Sequence, residues 1–297
     1  MYQSMEDDIV LEIVNELTEK LGDKIELQKI KAVGGGCISQ SIKMETNKGA
    51  FFVKWNSNGP DDLFVTEAEG LREMAAVENL FLQVPEVLIS KKTGKLPGYL
   101  VLRYLESGGN SRDDEQLGQG LAILHRKFND RFGFHHNNYC GSTLQNNQWN
   151  CDWVDFFGRQ RIWHLIELIQ RHRSIPSAEI NVYERLLQKL PDILGHDPKP
   201  SLIHGDLWSG NYMQTAVGPA IIDPATSYSD REMEFSIMSM FGGFSQRVWD
   251  AYQNAFPFFS GWKERIRLYQ LYHYLNHFYL FGGGYGSSAL SIARSFV

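Results

Sequence analysis

Four residues in one short stretch carry the groups that moving a phosphoryl group requires. From Ser201 the chain reads Ser-Leu-Ile-His-Gly-Asp-Leu-Trp-Ser-Gly-Asn-Tyr-Met, turns at Gly218-Pro219, and continues Ala-Ile-Ile-Asp-Pro-Ala to Ala225. His204, Asp206 and Asn211 form His-x-Asp-x4-Asn. In that spacing the Asp can handle the proton of an attacking hydroxyl while the Asn holds a metal ion. Asp223 closes the apolar run Ala220-Ile221-Ile222, so it is expected at the end of a buried strand, where a second metal-holding carboxylate belongs. The chemistry needs both halves: Mg²⁺ to neutralise phosphate oxygens and a carboxylate to orient the hydroxyl. The competing reading is a polar turn between two strands, since turns collect Gly, Asn and Asp for local reasons.

Other elements must bring a triphosphate to that stretch. Residues 5–21 repeat at helical spacing (Ile9, Ile13, Leu17), with Glu6, Asp7 and Asp8 at the start and Gly22 after the end, which predicts a packing helix. A β-rich unit follows: Lys24–Ala32, then Gly34-Gly35-Gly36-Cys37-Ile38, then strands Ser41–Glu45 and Ala50–Trp55 around a turn at Asn47-Lys48-Gly49. A glycine-rich tip can set backbone N–H groups against phosphate oxygens because no Cβ intervenes. These glycines do not form Gly-x-Gly-x-x-Gly, however, and an ordinary hairpin accounts for them equally.

Lys54 stands among Phe51, Phe52, Val53 and Trp55, and a lysine buried there needs an anionic partner. The next helix, capped by Asp61 or Asp62 and running to about Glu78, supplies one. Its inward stripe is Phe64, Leu71 and Met74, and Glu67 falls on that face, with Asp62, Glu69, Arg72 and Glu73 opposite. A Lys–Glu pair of this kind positions phosphates; the alternative is a solvated Glu on a helix edge.

Val84–Leu88 and Gly98–Leu105 read as two further strands, and Glu106-Ser107-Gly108-Gly109-Asn110 breaks the pattern. The lobe boundary is placed there: a nucleotide-binding lobe over 1–105 and a catalytic and substrate-binding lobe over 106–297. Backbone from Arg103 to Leu105 could hydrogen-bond an adenine, and an ordinary strand end accounts for these residues equally. Beyond Asp113 the chain turns helical, with a stripe of Leu117, Leu121, Leu124 and Phe128. Residues 132–155 show no strong period, Tyr228–Phe235 leads into a helix, and Lys263–Phe281 reads as the last one. His273 and His277 are four apart, but no Glu completes His-Glu-x-x-His, so a helix with polar tips toward a cleft is preferred over a metal site.

Length and composition suit one large or two-lobed globule: 297 residues, 43% of them hydrophobic. A net charge of −6 argues against general affinity for nucleic acid or anionic membrane. No apolar run approaches the ~20 residues of a membrane span, and no secretory leader is visible. Three cysteines (Cys37, Cys140, Cys151) lack metal-finger spacing. A cytoplasmic protein is expected.

With these pieces in place, the chain resembles the fructosamine-3-kinase (ketosamine-3-kinase) family, small-molecule kinases of the protein-kinase-like fold related to aminoglycoside phosphotransferases. The likeness runs through Gly34–Ser39, Phe51-Phe-Val-Lys54, Phe134–Thr143, His204-Gly-Asp-Leu-Trp-Ser-Gly-Asn211, Asp223-Pro-Ala225, Phe241-Gly-Gly-Phe244 and Leu275-Asn-His277. It implies an α+β fold with a β-rich N-lobe and a mostly helical C-lobe. The implied reaction is ATP- and Mg²⁺-dependent phosphorylation of the 3-hydroxyl of free or protein-bound ketosamines. Their 3-phosphates decompose and free the amine, which amounts to deglycation.

By position, Lys54 and Glu67 would place the phosphates, Gly34 to Ile38 would cover them, and Asp206 would be the base. Asn211 and Asp223 would hold Mg²⁺, and Trp208 and His277 would border the sugar. The resemblance also makes Cys37 a candidate redox switch through an intersubunit disulfide, where a small residue tolerated in a turn is the other reading. The chain departs from the family's pattern at Arg103, at Ser229-Asp230 and at Cys140, the last in place of an aliphatic residue; the latter two bear on the preferred sugar. A kinase of another hydroxylated amine (aminoglycoside- or choline-like) and a non-catalytic nucleotide-binding regulator stay open.

Overall fold

The computed structural model describes residues 5–34, 39–108 and 113–297. The first helix, α1 (Met5–Leu21), buries Ile9, Val10, Ile13 and Leu17, as its spacing predicts. Five antiparallel strands follow: β1 (Leu27–Ala32), β2 (Gln40–Thr46), β3 (Gly49–Asn56), β4 (Val87–Lys91) and β5 (Gly98–Arg103), in the order β1-β2-β3-β5-β4. Helix α2 (Leu63–Ala75) lies between β3 and β4 in sequence.

Strand parity decides which side chains meet the site. Successive side chains on a strand point to opposite faces. Phe51, Val53, Trp55, Tyr99 and Val101 join α1 in one core, while Leu100 and Leu102 join Phe64, Leu71 and Met74 of α2 in another. Lys54 takes the second face, and β3 pairs it with Leu100. Two boundaries differ from expectation. Strand β1 starts at Leu27 rather than Lys24, and β4 covers Val87–Lys91 rather than Val84–Leu88; Pro85 has no N–H to give a ladder.

The C-terminal body holds α3 (Asp114–Leu124), a hairpin of β6 (Asn138–Cys140) and β7 (Thr143–Gln145), and a continuous helical run that starts as α4 (Trp153–Asp155). That run passes through a π-helical stretch (Phe156–Trp163) and ends as α5 (His164–His172). Then come α6 (Ser177–Leu194), β8 (Ser201–Ile203), β9 (Tyr212–Thr215), β10 (Gly218–Ile221) and β11 (Ser227–Ser229). Four helices finish the chain: α7 (Glu232–Met240), α8 (Gln246–Ala255), α9 (Trp262–Phe281) and α10 (Tyr285–Arg294). The core that contains α2 and β5 continues into Leu117, Leu121, Leu202, Leu207, Ile221 and Phe235, so sheet and helical body share apolar packing.

Three expectations are corrected here. Helix α3 stops at Leu124 and leaves Phe128 40% exposed, outside the core stripe, with Lys199 over its ring. Helix α9 is not the last, since α10 follows the Gly282-Gly283-Gly284 break. The unpatterned segment 132–155 contains β6 and β7, whose three-residue length is too short to show a period. Among the described residues, no helix is long and apolar enough to cross a membrane.

Candidate active site

The loop after β8 is held by one buried carboxylate. Glu234 of α7, fully buried, accepts the backbone N–H of His204 (2.6 Å, Oε2) and of Gly205 (3.1 Å, Oε1). Burial works against its charge, but His125, His204 and the N–H donors outweigh that and hold the carboxyl below its ordinary range. Gly205 has φ +83°, and a Cβ there would strike the Ala225 carbonyl, so the loop can pass only as glycine.

His204 then ties this loop to the strand that ends at Asp223. The Asp206 N–H donates to His204 Nδ1 (3.2 Å), which leaves Nε2–H to donate to the Ile222 carbonyl (2.8 Å). Burial lowers the His204 pKa, consistent with a neutral ring fixed in that tautomer.

Asp206 sits half-buried in the wall of a cavity of about 700 Å³. Burial, then the carboxylates of Asp223 and Glu234, push its carboxyl well above the usual range, opposed by the hydrogen bond from Asn211. The Asn211 amide N–H₂ reaches the Asp206 carbonyl (2.9 Å), Asp206 Oδ2 (3.4 Å) and the Asp223 carbonyl (3.4 Å). Asp223 has φ 57° and is the one described non-glycine residue with positive φ. That conformation costs on the order of 1 kcal/mol, and it places the carboxylate toward Lys54.

Lys54 bridges both carboxylates, with Nζ 2.7 Å from Glu67 Oε1 and 2.6 Å from Asp223 Oδ1. Burial opposes its charge, but Asp223 and Glu67 together raise its pKa, so it stays an ammonium. Burial pushes Glu67 up to about 7, against the pull of Lys54 and with the push of Asp223. One cation between two carboxylates leaves a surplus negative charge, which a further cation at Asp223 would balance.

Helix α2, which presents Glu67, is latched to the helical body by its polar side. Tyr139 donates to Asp62 (2.7 Å), Tyr228 donates to Glu73 (2.6 Å), and His136 contacts Glu69. Asp62 is the N-cap residue, yet its side chain makes no capping bond; its carboxylate is taken by Tyr139. At the cavity's other end the His277 ring lies 5.2 Å from Phe241, 5.7 Å from Phe281 and 5.1 Å from Tyr285, and Trp208 meets Phe241 edge-on at 6.5 Å.

The structure thus gathers Gly34, Lys54, Glu67, Asp206, Trp208, Asn211, Asp223 and His277 around one cavity. Arg103 and Leu105 do not border it. The Arg103 N–H is committed to the Glu86 carbonyl, and its guanidinium lies over Phe51 and beside Glu86. Gly35, Gly36, Cys37 and Ile38 lie outside the described residues. Ser229 and Asp230 are fully buried away from the cavity, where Asp230 accepts from His196 and Tyr269; of the departures named above, only Cys140 lines the cavity. Glu234 was missed by sequence reasoning, although a second acid at the start of an apolar helix (Glu232-Met-Glu-Phe235) was a legible cue.

The donor set around Asp223 fits a hard cation. Asn211 uses its amide N–H₂ on the Asp206 and Asp223 carbonyls and on Asp206 Oδ2, which leaves its own Oδ1 and the Asp223 carboxylate as oxygen donors on the same cavity wall, and oxygen-only ligands suit Mg²⁺.

A five-stranded antiparallel sheet over a helical body is the architecture of the protein-kinase-like phosphotransferases. The solved aminoglycoside phosphotransferase APH(4)-Ia matches this chain with a TM-score of 0.64 over 99% of each chain, at 14% identity, a likeness of fold alone. Sequence narrows the class: the fructosamine kinase family matches residues 9–297, and the chain belongs to that family. The chloroplastic protein-ribulosamine 3-kinase of Arabidopsis thaliana is 37% identical over 301 residues, covering 99% of this chain and 89% of that protein. A structure assigned as fructosamine-3-kinase from Thermobifida fusca superposes with a TM-score of 0.84 at 27% identity, over 95% of this chain and 97% of that one. Membership makes the protein an ATP-using enzyme that phosphorylates a hydroxyl group.

Proposed function

We propose that this protein transfers the terminal phosphoryl group of ATP to the 3-hydroxyl of ketosamines, the sugar adducts of amines, and so acts in deglycation. The observation that carries the reading is Lys54 spanning Glu67 and Asp223 within one cavity that also holds Asp206 and Asn211. The name of the Arabidopsis relative, a ribulosamine 3-kinase, supports the substrate class.

Each group has a distinct task. Lys54, kept charged by its two carboxylates, draws the phosphates toward the sheet, and Glu67 fixes its direction. Asp206 accepts the proton of the attacking hydroxyl, and its raised pKa brings it nearer the working pH of a base. Asn211 and Asp223 would hold Mg²⁺, which neutralises charge on the phosphate oxygens when bound. The aromatic mouth of Trp208, Phe241 and Tyr285 offers faces for a sugar or an amine-bearing side chain at the acceptor end. Residues 1–105 would act as the nucleotide lobe and 106–297 as the acceptor lobe.

The test is phosphate transfer from ATP to ribulosyl-, fructosyl- and erythrulosyl-lysine, run beside kanamycin and choline. Transfer to the ketosamines alone is expected. Turnover only on kanamycin or choline would replace the acceptor class, and ATP use that survives Asp206→Asn unchanged would remove Asp206 as the base.

A further inference from the structure

Below the acceptor end of the cavity lies a group of side chains that phosphotransfer does not require. The Cys140 thiol, an Asp206 carboxylate oxygen and an imidazole nitrogen of His273 all lie within 4.8 Å of one another. They come from three separate elements: the end of β6, the loop after β8, and the middle of α9. Cys140 and Asp206 border the cavity, and His273 stands behind them, 1% exposed.

His273 is the independent observation. Among the described residues neither of its ring nitrogens has a hydrogen-bond partner, although a buried imidazole left unsatisfied costs about 1–3 kcal/mol. A core histidine retained only for packing would be expected to pair at least one nitrogen. The other cluster of this kind, His196 with Asp230 and Glu232, differs in this respect: its members are bonded to each other, to Tyr269 and to Arg265. It is a closed ionic network with no ligand atom to spare.

We propose that Cys140, Asp206 and His273 form a site for a borderline-soft divalent cation such as Zn²⁺, and that its occupancy withdraws Asp206 from phosphotransfer. The inhibitory half rests on Asp206 being the base; the metal site itself does not. One sulfur, one imidazole nitrogen and one carboxylate oxygen are three of the four ligands of a tetrahedral Zn²⁺, and the cavity side leaves the fourth position to water. In such a centre neighbouring ligand atoms stand roughly 3.3–3.8 Å apart, so the three groups, all within 4.8 Å of one another, need to close by at most about 1–1.5 Å.

The charges also balance. On binding, the Cys140 thiol releases its proton to solvent, and thiolate plus carboxylate neutralise the dication, leaving no net charge in the pocket. Burial and nearby His277 hold the His273 pKa down to about 3, so its ring is neutral and free to ligate at any physiological pH. The Asn276 amide donates to Cys140 Sγ (3.2 Å) and to the Cys140 carbonyl (3.4 Å), a second-layer contact of the kind that steadies a bound thiolate. Mg²⁺, which prefers oxygen and sheds water reluctantly, would not compete for sulfur and imidazole. The two cations would therefore sort between neighbouring positions, Mg²⁺ at Asp223 and Asn211 and Zn²⁺ below Asp206.

The test uses the full chain in a Cys37→Ser/Cys151→Ser background, so that Cys140 is its sole thiol. Co²⁺ titrated into the metal-free protein should produce a thiolate-to-cobalt charge-transfer band that Zn²⁺ abolishes by displacement. Cys140→Val should lack the band, and His273→Gln should weaken Co²⁺ binding at least about tenfold. Thermal melts of each variant confirm folding. In the kinase assay with Mg·ATP in excess, Zn²⁺ should lower turnover and a chelator should restore it. Cys140→Val, measured against its own metal-free rate, should need at least about tenfold more Zn²⁺ for the same fractional loss. Absence of the band in the parent protein, or a band and Zn²⁺ sensitivity that Cys140→Val leaves unchanged, overturns the site. A normal band in a protein inactive on every ketosamine upholds the metal site and removes the functional reading instead.

Discussion

Gly70 lies three residues beyond Glu67 on α2 and rests directly on Thr226, just past Asp223-Pro224-Ala225. An alanine Cβ there would stand 2.5 Å from Thr226 Oγ1 and 3.0 Å from Thr226 Cβ, about 1 Å inside the roughly 3.5–4.0 Å of a comfortable carbon contact. Thr226 cannot retreat, because it is fully buried and its carbonyl accepts from Asn138. The helix has to give way, and Glu67, on the same face, moves with it away from Lys54.

Two opposing magnitudes set the effect on stability. Gly→Ala within a helix gains about 1 kcal/mol, while overpacking costs about 1–3 kcal/mol, for a net loss of roughly 0–2 kcal/mol. Activity should respond more sharply, since a displacement of about 1 Å in a positioning group can cost ~10²-fold in rate. We expect Gly70→Ala to lower kcat/KM for ATP by about that factor, or roughly 2.7 kcal/mol, with only a small change in urea midpoint. Thr226→Ala removes an oxygen that has no hydrogen-bond partner among the described residues. It should be mild alone and should recover at least about tenfold of the activity lost in Gly70→Ala. A Gly70→Ala protein that is more stable and fully active would refute this account, as would a loss that Thr226→Ala leaves untouched.

Gly118→Ala serves as the contrast, since its Cβ would meet the Val248 carbonyl and sit 2.8 Å from Ala251 Cβ, between α3 and α8; it should cost about 1–3 kcal/mol in urea unfolding and leave KM for ATP unchanged. Lys54→Met removes the cation from between two carboxylates, so the Glu67 pKa rises above its present value of about 7. A carboxyl raised in the folded state gives up stability as pH climbs through its folded pKa, and the deficit of Lys54→Met against the parent should widen from about pH 5.5 to about pH 8. His196 and Asp230 behave the other way. Burial disfavours both charges, but their mutual hydrogen bond and attraction win, raising His196 from 6.5 and lowering Asp230 from 3.8. The stabilisation they share is complete between those two values, and it is lost as pH rises through the raised His196 pKa or falls through the lowered Asp230 pKa. The stability difference between the parent and His196→Gln should therefore shrink on going from about pH 6 to about pH 9.

The chemistry-bearing residues were legible because their signals are local. His204, Asp206 and Asn211 lie within eight residues, and a strand-end carboxylate announces itself by the apolar run before it. The apolar neighbours of Lys54 and the helix phase of Glu67 were enough to pair the two, since both signals are properties of a single element. The same reasoning failed wherever an outcome depended on elements far apart in the chain. The Arg103 N–H is an example: it is taken by the Glu86 carbonyl, and neither Arg103 nor Leu105 borders the cavity, while an adenine contact from this backbone stays a proposal. Phe128 continued a stripe on paper, but α3 had already ended.

What the sequence supplied by itself was the identity and order of the groups proposed to react, because an amphipathic period or a motif spacing is set by covalent geometry and neighbouring side chains. Tertiary structure alone decided that Glu234 anchors the catalytic loop, that Gly70 must be small, and that Cys140 and His273 meet beside Asp206. Those juxtapositions come from close packing of segments more than a hundred residues apart in the last case. No one-dimensional pattern encodes which residues meet: the sequence marks Glu234 as an acid at the start of an apolar helix, but only the packed fold says which loop it holds.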